Sequence, residues 1–297
     1  MLRVSGLSKS FGAIQAVKDV SFHVEKGTTF AFLGTNGAGK STVIHMIIDL
    51  LKPDAGKIAF TGGVLQEVTG VVFQTHRLDE ELTIEENLMI RAKLYGIPKQ
   101  KAKQRIDELL ALTHISTKRD RVYGKCSGGE KRKTDIIRAL LHRPDFLILD
   151  EPTTGLDAES REEIWAFLNK LQQDQGLTIF LTTHYIEEAE QVDYVLIMHE
   201  GKVEVEGTPA ELKAQYTKMI LTLHTTDKKK VADSLQTTPY AFECDYDKVF
   251  VEIHKNKDAI AILQKTEDFI DDFSIEETNL ENVFLEVTKQ IKTRLII

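Results

Sequence analysis

Short runs of uninterrupted apolar residues punctuate the chain: Phe30-Ala31-Phe32-Leu33, Gly70-Val71-Val72-Phe73, Phe146-Leu147-Ile148-Leu149 and Ile179-Phe180-Leu181. Runs this short and this apolar predict strands buried on both faces, as in a parallel sheet. They set predicted strands over 28–33, 70–74, 146–150 and 178–183. Between them the segments 42–51, 84–95, 99–112 and 160–173 predict helices. In 99–112 the apolar positions Ile106, Leu109, Leu110 and Leu112 share one face. Thr83 followed by Glu86 has capping-box spacing, so a helix starts at Ile84, and Gly96-Ile97-Pro98 stops it. Strand-like runs at 2–4, 16–24 and 57–60 and a hairpin around Glu200-Gly201 complete this part, followed by a short helix over 209–215. The alternation of strand and helix predicts an α/β fold.

Past Tyr216 the pattern changes. Strands are expected over 219–223, 240–244, 248–253 and 269–275, with helices over 228–235, 258–266 and 279–288. The order β-α-β-β-α-β resembles the split βαβ arrangement. The expected boundary lies near 216, giving a larger part over 1–216 and a small α+β part over 217–297.

The chain has 297 residues, ordinary apolar and charged content, and a net charge of −8. No global basic field favours nucleic acid. No apolar run is long enough to span a bilayer, and Met1-Leu2-Arg3-Val4-Ser5 lacks a signal-peptide core, so a cytoplasmic protein is expected. Cys126 and Cys244 suggest no disulfide framework, and the nine histidines show no zinc-type spacing.

The candidate chemistry begins after the first buried strand. Gly34-Thr35-Asn36-Gly37-Ala38-Gly39-Lys40-Ser41-Thr42 fits G-x-x-x-x-G-K-[ST], the phosphate-binding P-loop, with a strand before it and a helix after it. Backbone N–H groups and the positive end of the helix dipole favour an anion there. Lys40 can neutralise outer phosphates and Ser41 can ligate Mg²⁺. The plainer alternative, a glycine-rich turn that binds nothing, lacks a reason for this flanking pattern.

Further motifs follow in order: Gln74 at a strand end; Cys126-Ser127-Gly128-Gly129-Glu130; Asp150-Glu151-Pro152 after an apolar strand; Gly155-Leu156-Asp157; and Thr183-His184. Together with the P-loop they resemble the ATP-binding subunits of ATP-binding cassette (ABC) transporters, over roughly residues 1 to 215. The resemblance implies a P-loop NTPase core with strand-rich and helical subdomains, the latter at about 83–143, and ATP and Mg²⁺ as ligands. It implies that Asp150, Ser41 and Gln74 serve the metal, that Glu151 polarises the attacking water and that His184 contacts the γ-phosphate. Phe11 would stack on adenine, and Ser127, Gly128 and Gly129 would bind ATP held by another copy. Asp150 is expected on a strand beside the P-loop strand. The plainer readings are a core phenylalanine at 11, a strand-ending acid at 150 and a strand-capping histidine at 184.

Two departures stand in the signature segment. Cys126 replaces a frequent leucine, and Glu130 replaces an uncharged residue. Ser127 and Glu130 have capping-box spacing, so Glu130 is expected to tie off a helix start, with Lys131-Arg132-Lys133 offsetting its charge. The chain between Gly62 and Val71 is short for the family, which predicts a trimmed hairpin. Residues 279–288 resemble the tail of drug-exporter-type (daunorubicin-resistance-like, ABC-2) subunits; a closing helix packed on its own domain is the plainer reading.

The resemblance implies a homodimer or pseudo-dimer, held on the inner face of the cell membrane by an integral-membrane permease and driving export. A soluble cassette ATPase acting on ribosomes or DNA is the alternative. The single cassette, the lack of a long coiled coil and the acidic balance speak against it. A regulatory module that binds without hydrolysing is a third reading, opposed by Glu151 and His184.

Overall fold

The structure is a computed structural model that describes residues 1–61, 64–276 and 279–294. It divides into two compact units, Met1–Thr208 and Pro209–Ile297. The first holds β1 (Leu2–Phe11), β2 (Ile14–Val24), β3 (Thr29–Leu33), α1 (Lys40–Ile47), β4 (Ala55–Phe60), α2 (Leu65–Val68) and β5 (Thr69–Val72). It continues with α3 (Ile84–Leu94), α4 (Lys99–Leu112), α5 (Gly128–Leu140), β6 (Phe146–Asp150), α6 (Ala158–Gln175) and β7 (Thr178–Thr183), then α7 (Ile186–Ala189), β8 (Tyr194–His199) and β9 (Lys202–Gly207).

A six-stranded sheet, ordered β5-β6-β7-β3-β8-β9, carries the apolar runs. Its strands are parallel up to β8, and β9 closes the edge antiparallel. Every residue of β3, β6 and β7 is buried, which is why those segments read as unbroken apolar runs. A second, antiparallel sheet of β2-β1-β4 shares its core. Phe22 from β2 meets Phe32 edge-on at 4.9 Å and stacks on Phe30 at 5.6 Å, an arrangement that favours both rings.

Two expectations need correction here. β7 lies between β6 and β3, so Asp150 ends a strand once removed from the P-loop strand. No trimmed hairpin follows β4 among the described residues: a single helical turn, α2, leads directly into β5, and Gly62-Gly63 lies outside the described residues.

The second unit contains α8 (Pro209–Tyr216), β10 (Met219–His224), α9 (Lys228–Leu235), β11 (Phe242–Asp245), β12 (Lys248–Ile253), α10 (Asn256–Thr266), β13 (Asp272–Glu276) and α11 (Leu280–Arg294). Its sheet order β11-β12-β10-β13, all antiparallel, is the split βαβ pattern. The division falls at 208/209 rather than near 216, because α8 packs on α11. Leu280, Val283 and Val287 of α11 are buried, as the packed closing helix requires. Among the described residues no helix is long and apolar enough to cross a membrane.

Candidate functional site

Lys40, Ser41, Gln74, Asp150, Glu151 and His184 come together at the carboxyl ends of β3, β5, β6 and β7, the edge of a parallel sheet where ligands bind. The loop after β3 is held tight. A Cβ on Gly34 would meet the Met198 carbonyl oxygen at 2.5 Å, so no larger residue fits. Gly39, with φ 102°, lets α1 begin as soon as the loop ends, at Lys40 rather than at the expected Thr42. No side chain caps α1, so its first N–H groups face the loop uncommitted to a capping side chain. The Lys40 ammonium donates to the carbonyls of Gly34 at 2.7 Å and Thr35 at 3.1 Å. Burial pushes its pKa down, opposed by Glu151, whose Oε1 lies 3.6 Å away.

The acids follow from the end of β6. Asp150 is buried; its Oδ1 accepts from Ser41 Oγ at 3.1 Å and from Thr182 Oγ1 at 2.6 Å. Glu151 turns the chain with φ 48°, a left-handed conformation that costs a non-glycine residue about 1 kcal/mol or more. Its N–H donates to both the carbonyl and the hydroxyl of Thr182, at 3.1 Å each. Thr182 therefore clamps both acids from the intervening strand. Sequence reasoning missed this role: β7 carries three buried threonines, Thr178, Thr182 and Thr183, and nothing in the sequence marks Thr182 as the one that clamps the acids. Glu151 Oε2 accepts from Gln74 Nε2 at 3.2 Å and Thr154 Oγ1 at 3.0 Å. His184 Nδ1 stands 3.2 Å from the same oxygen, off the line of a hydrogen bond. A carboxylate set this way can accept a proton from a water, with a cation and an imidazole beside it.

Phe11 and the signature residues stand apart from this cluster. The Phe11 ring is 51% exposed at the end of β1, with the Lys9 ammonium 5.9 Å from its centroid. It is not a core residue, and its open face can stack on a planar ring. No hydrogen bond or ion pair links Ser127, Gly128 or Gly129 to the P-loop among the described residues. Ser127 caps α5: its Oγ accepts from the Glu130 N–H at 3.2 Å, and Glu130 Oε2 accepts from the Ser127 N–H at 2.9 Å. A Cβ on Gly129 would lie 2.4 Å from Ser160 Oγ, so the helix start is pressed against α6.

The charge of Glu130 is met otherwise than expected. Arg121 donates to both its oxygens, at 3.2 and 3.0 Å, and Lys118 lies 3.9 Å away. Lys131 instead pairs with Glu80 at 3.2 Å and Lys133 with Glu163 at 2.6 Å. Arg132 donates to the carbonyls of Phe73 and Gln74, at 2.7 Å each. Lys131 and Arg132, one and two positions on, point to other faces, and Lys133, three positions on, is taken by Glu163, so the neighbouring cations do not serve Glu130. For Glu130, burial raises the pKa but is outweighed by the Ser127 N–H and the Arg121 guanidinium, so the carboxyl sits below its ordinary value.

The sequence profile of the ABC transporter family matches residues 17–154. The chain is 33% identical over 311 residues to the daunorubicin/doxorubicin resistance ATP-binding protein DrrA of Streptomyces peucetius, covering 97% of this chain and 92% of that protein. It is 34% identical over 291 residues to the Nod factor export ATP-binding protein I of Paraburkholderia xenovorans, covering 95% of each. The ATP-binding cassette MJ0796, a dimer solved in a post-hydrolysis state with ADP and Pi, matches with a TM-score of 0.64 at 26% identity, over 70% of this chain and 98% of that one. With a phosphate loop, paired acids and a signature helix set in this fold, the chain belongs to the ABC transporter family, as one of its ATP-hydrolysing, ATP-binding subunits.

Proposed function

We propose that this subunit works as a dimer that powers export through a separate membrane permease, bound at the cytoplasmic face. The convergence of Lys40, Gln74 and His184 on Glu151, beside Asp150, carries this reading. Each ATP lies between Gly34–Thr42 of one copy and Ser127, Gly128 and Gly129 of the other, with adenine on Phe11. Lys40 moves from the Gly34 and Thr35 carbonyls to the phosphates. Glu151 takes the proton of the attacking water, and His184 and Gln74 steady the γ-phosphate and that water. Ser41 Oγ and Asp150 Oδ1, 3.1 Å apart, are hard oxygen donors suited to Mg²⁺, and with Gln74 they would hold it. When bound, that ion neutralises charge on the transferring phosphoryl group. The γ-phosphate is what differs between ATP and ADP, so it alone can switch the dimer. The relative named for Nod factor export matches along nearly its whole length, which supports export over import.

Two measurements test the reading. Glu151→Gln is expected to keep ATP binding and to cut hydrolysis by about 10³-fold; near-normal turnover removes Glu151 from the role. Purification from detergent-solubilised membranes is expected to recover an integral membrane protein. Recovery only with soluble or ribosomal material sinks the transporter reading.

A further inference from the structure

Among the described residues, His184 is the member of the cluster that no hydrogen bond orients. Its Nδ1 is buried without a partner, although Glu151 Oε2 lies 3.2 Å away. A working imidazole is usually set by a hydrogen bond to one of its ring nitrogens. Here a ring contact takes that place. The Tyr185 ring lies against the imidazole, with centroids 4.2 Å apart and planes tilted by 36°.

Tyr185 is itself held from two sides. Its N–H donates to Thr183 Oγ1 at 2.9 Å. The guanidinium carbon of Arg161 lies 4.4 Å from its ring centroid, a cation drawn to an aromatic face. Neighbours in sequence often touch, but adjacency alone would not set a cation from α6 on the same ring. Arg161 follows Ser160, the residue against which the start of α5 is pressed. The brace therefore stands on the turn of α6 that abuts the signature segment.

A second tie fastens the same region. α7 has four residues, too few to hold a loop in place by its own hydrogen bonds. Glu188 of α7 is only 1% exposed, and its Oε1 accepts from Thr153 Oγ1, two residues past Glu151. The segment that carries His184 and the segment that carries Glu151 are thus joined at a fixed spacing.

We propose that Tyr185 is a positioning residue for hydrolysis: braced by Arg161, its ring keeps the His184 imidazole beside Glu151, in place for the γ-phosphate. The proposal rests on the role given to His184 above and adds what holds it there. Tyr185 acts through His184 alone. Without the ring the imidazole turns about its side-chain bonds. That costs turnover, because a catalytic group must be held in its productive geometry. It leaves ATP binding to the phosphate loop and Phe11.

The test uses the full-length chain as wild type, Tyr185→Leu, Tyr185→Phe, Arg161→Gln and His184→Ala, with kcat and KM for ATP measured on each. Tyr185→Leu keeps bulk and removes the ring; it is expected to lower kcat about tenfold with KM within about twofold of wild type. Tyr185→Phe keeps the ring face and is expected to hold kcat within about twofold. Arg161→Gln removes only the brace and is expected to lower kcat about threefold at unchanged KM; it carries the test if Tyr185→Leu does not fold. Wild-type kcat in Tyr185→Leu overturns the proposal, as does a KM that rises as kcat falls. Equal losses in Tyr185→Phe and Tyr185→Leu overturn it too, since the hydroxyl and not the ring would then be acting. His184→Ala separates the two readings. If it turns over normally, the role of His184 falls and takes this one with it. If it is slow while Tyr185→Leu is normal, Tyr185 alone loses its part.

Discussion

At the start of α1 the chain leaves Gly39 with no side chain over the free N–H groups, and a buried lysine is folded back on the loop's own carbonyls. At the start of α5 the same kind of helix end is closed: Ser127 and Glu130 satisfy each other's backbone, and Arg121 pins the acid. The first end holds donors and a cation in reserve for an anion. The second is content within its own chain and has only a hydroxyl hydrogen and glycine N–H groups left to offer. On the dimer reading proposed above, one chain prepares a phosphate site at the P-loop, whereas the signature end would gain a phosphate only when another copy brings it.

This contrast can be broken at either end. The largest effect is expected from Lys40→Met, which removes charged hydrogen bonds worth about 1.5–3 kcal/mol each to the phosphates. ATP affinity, followed by titration with a fluorescent analogue, should fall by roughly 10²-fold; unchanged affinity would show that the loop alone does the binding. Ser127→Ala should leave ATP binding by the separate copy intact. It should lower unfolding stability by about 1 kcal/mol through the lost cap, and it should weaken ATP-dependent dimer formation in gel filtration. A loss of ATP binding by the single copy would erase the distinction between the two ends.

The smallest effect concerns acid. Glu130 has a folded-state pKa below its ordinary value, so its stabilising contribution is complete above the unfolded carboxylate pKa of about 4.3 and disappears as pH falls through the lower folded value. Wild type should therefore melt slightly higher than Glu130→Gln at neutral pH, by a few degrees at most, with the gap closing below about pH 4. A gap that persists in acid would mean that Glu130 acts by shape and not by charge.

Much of this was readable before any coordinates. Strands β3, β6 and β7 fell where the apolar runs put them, because a strand covered on both faces is apolar along most of its length. Both capping boxes, at Thr83/Glu86 and Ser127/Glu130, followed from spacing alone, since the residues that pair are three apart. What spacing could not supply were pairings across the fold. Thr182 and Arg132 act on backbone groups dozens of residues away, and nothing local in their neighbourhoods marks them. The counter-ions of Glu130 were sought beside it in sequence and lie instead on the approach to α5, at Lys118 and Arg121. The order of β7 between β6 and β3 is likewise a property of the sheet and not of any segment.

Arg132 carries a further consequence. Its guanidinium grips two successive carbonyls, of Phe73 and Gln74, from a helix whose first residues adjoin Ser127. Backbone oxygens cannot swing aside as side chains can, so the strand end at Gln74 and the start of α5 are fastened like the two arms of a rocker. If Gln74 shifts when its own nucleotide loses a phosphate, Ser127 shifts with it. Each copy would then report the state of its own ATP to the site it shares with its neighbour. Because such coupling is reciprocal, the neighbour's ATP would also set the position of Gln74. Two nucleotides in a dimer linked this way would be coupled rather than independent.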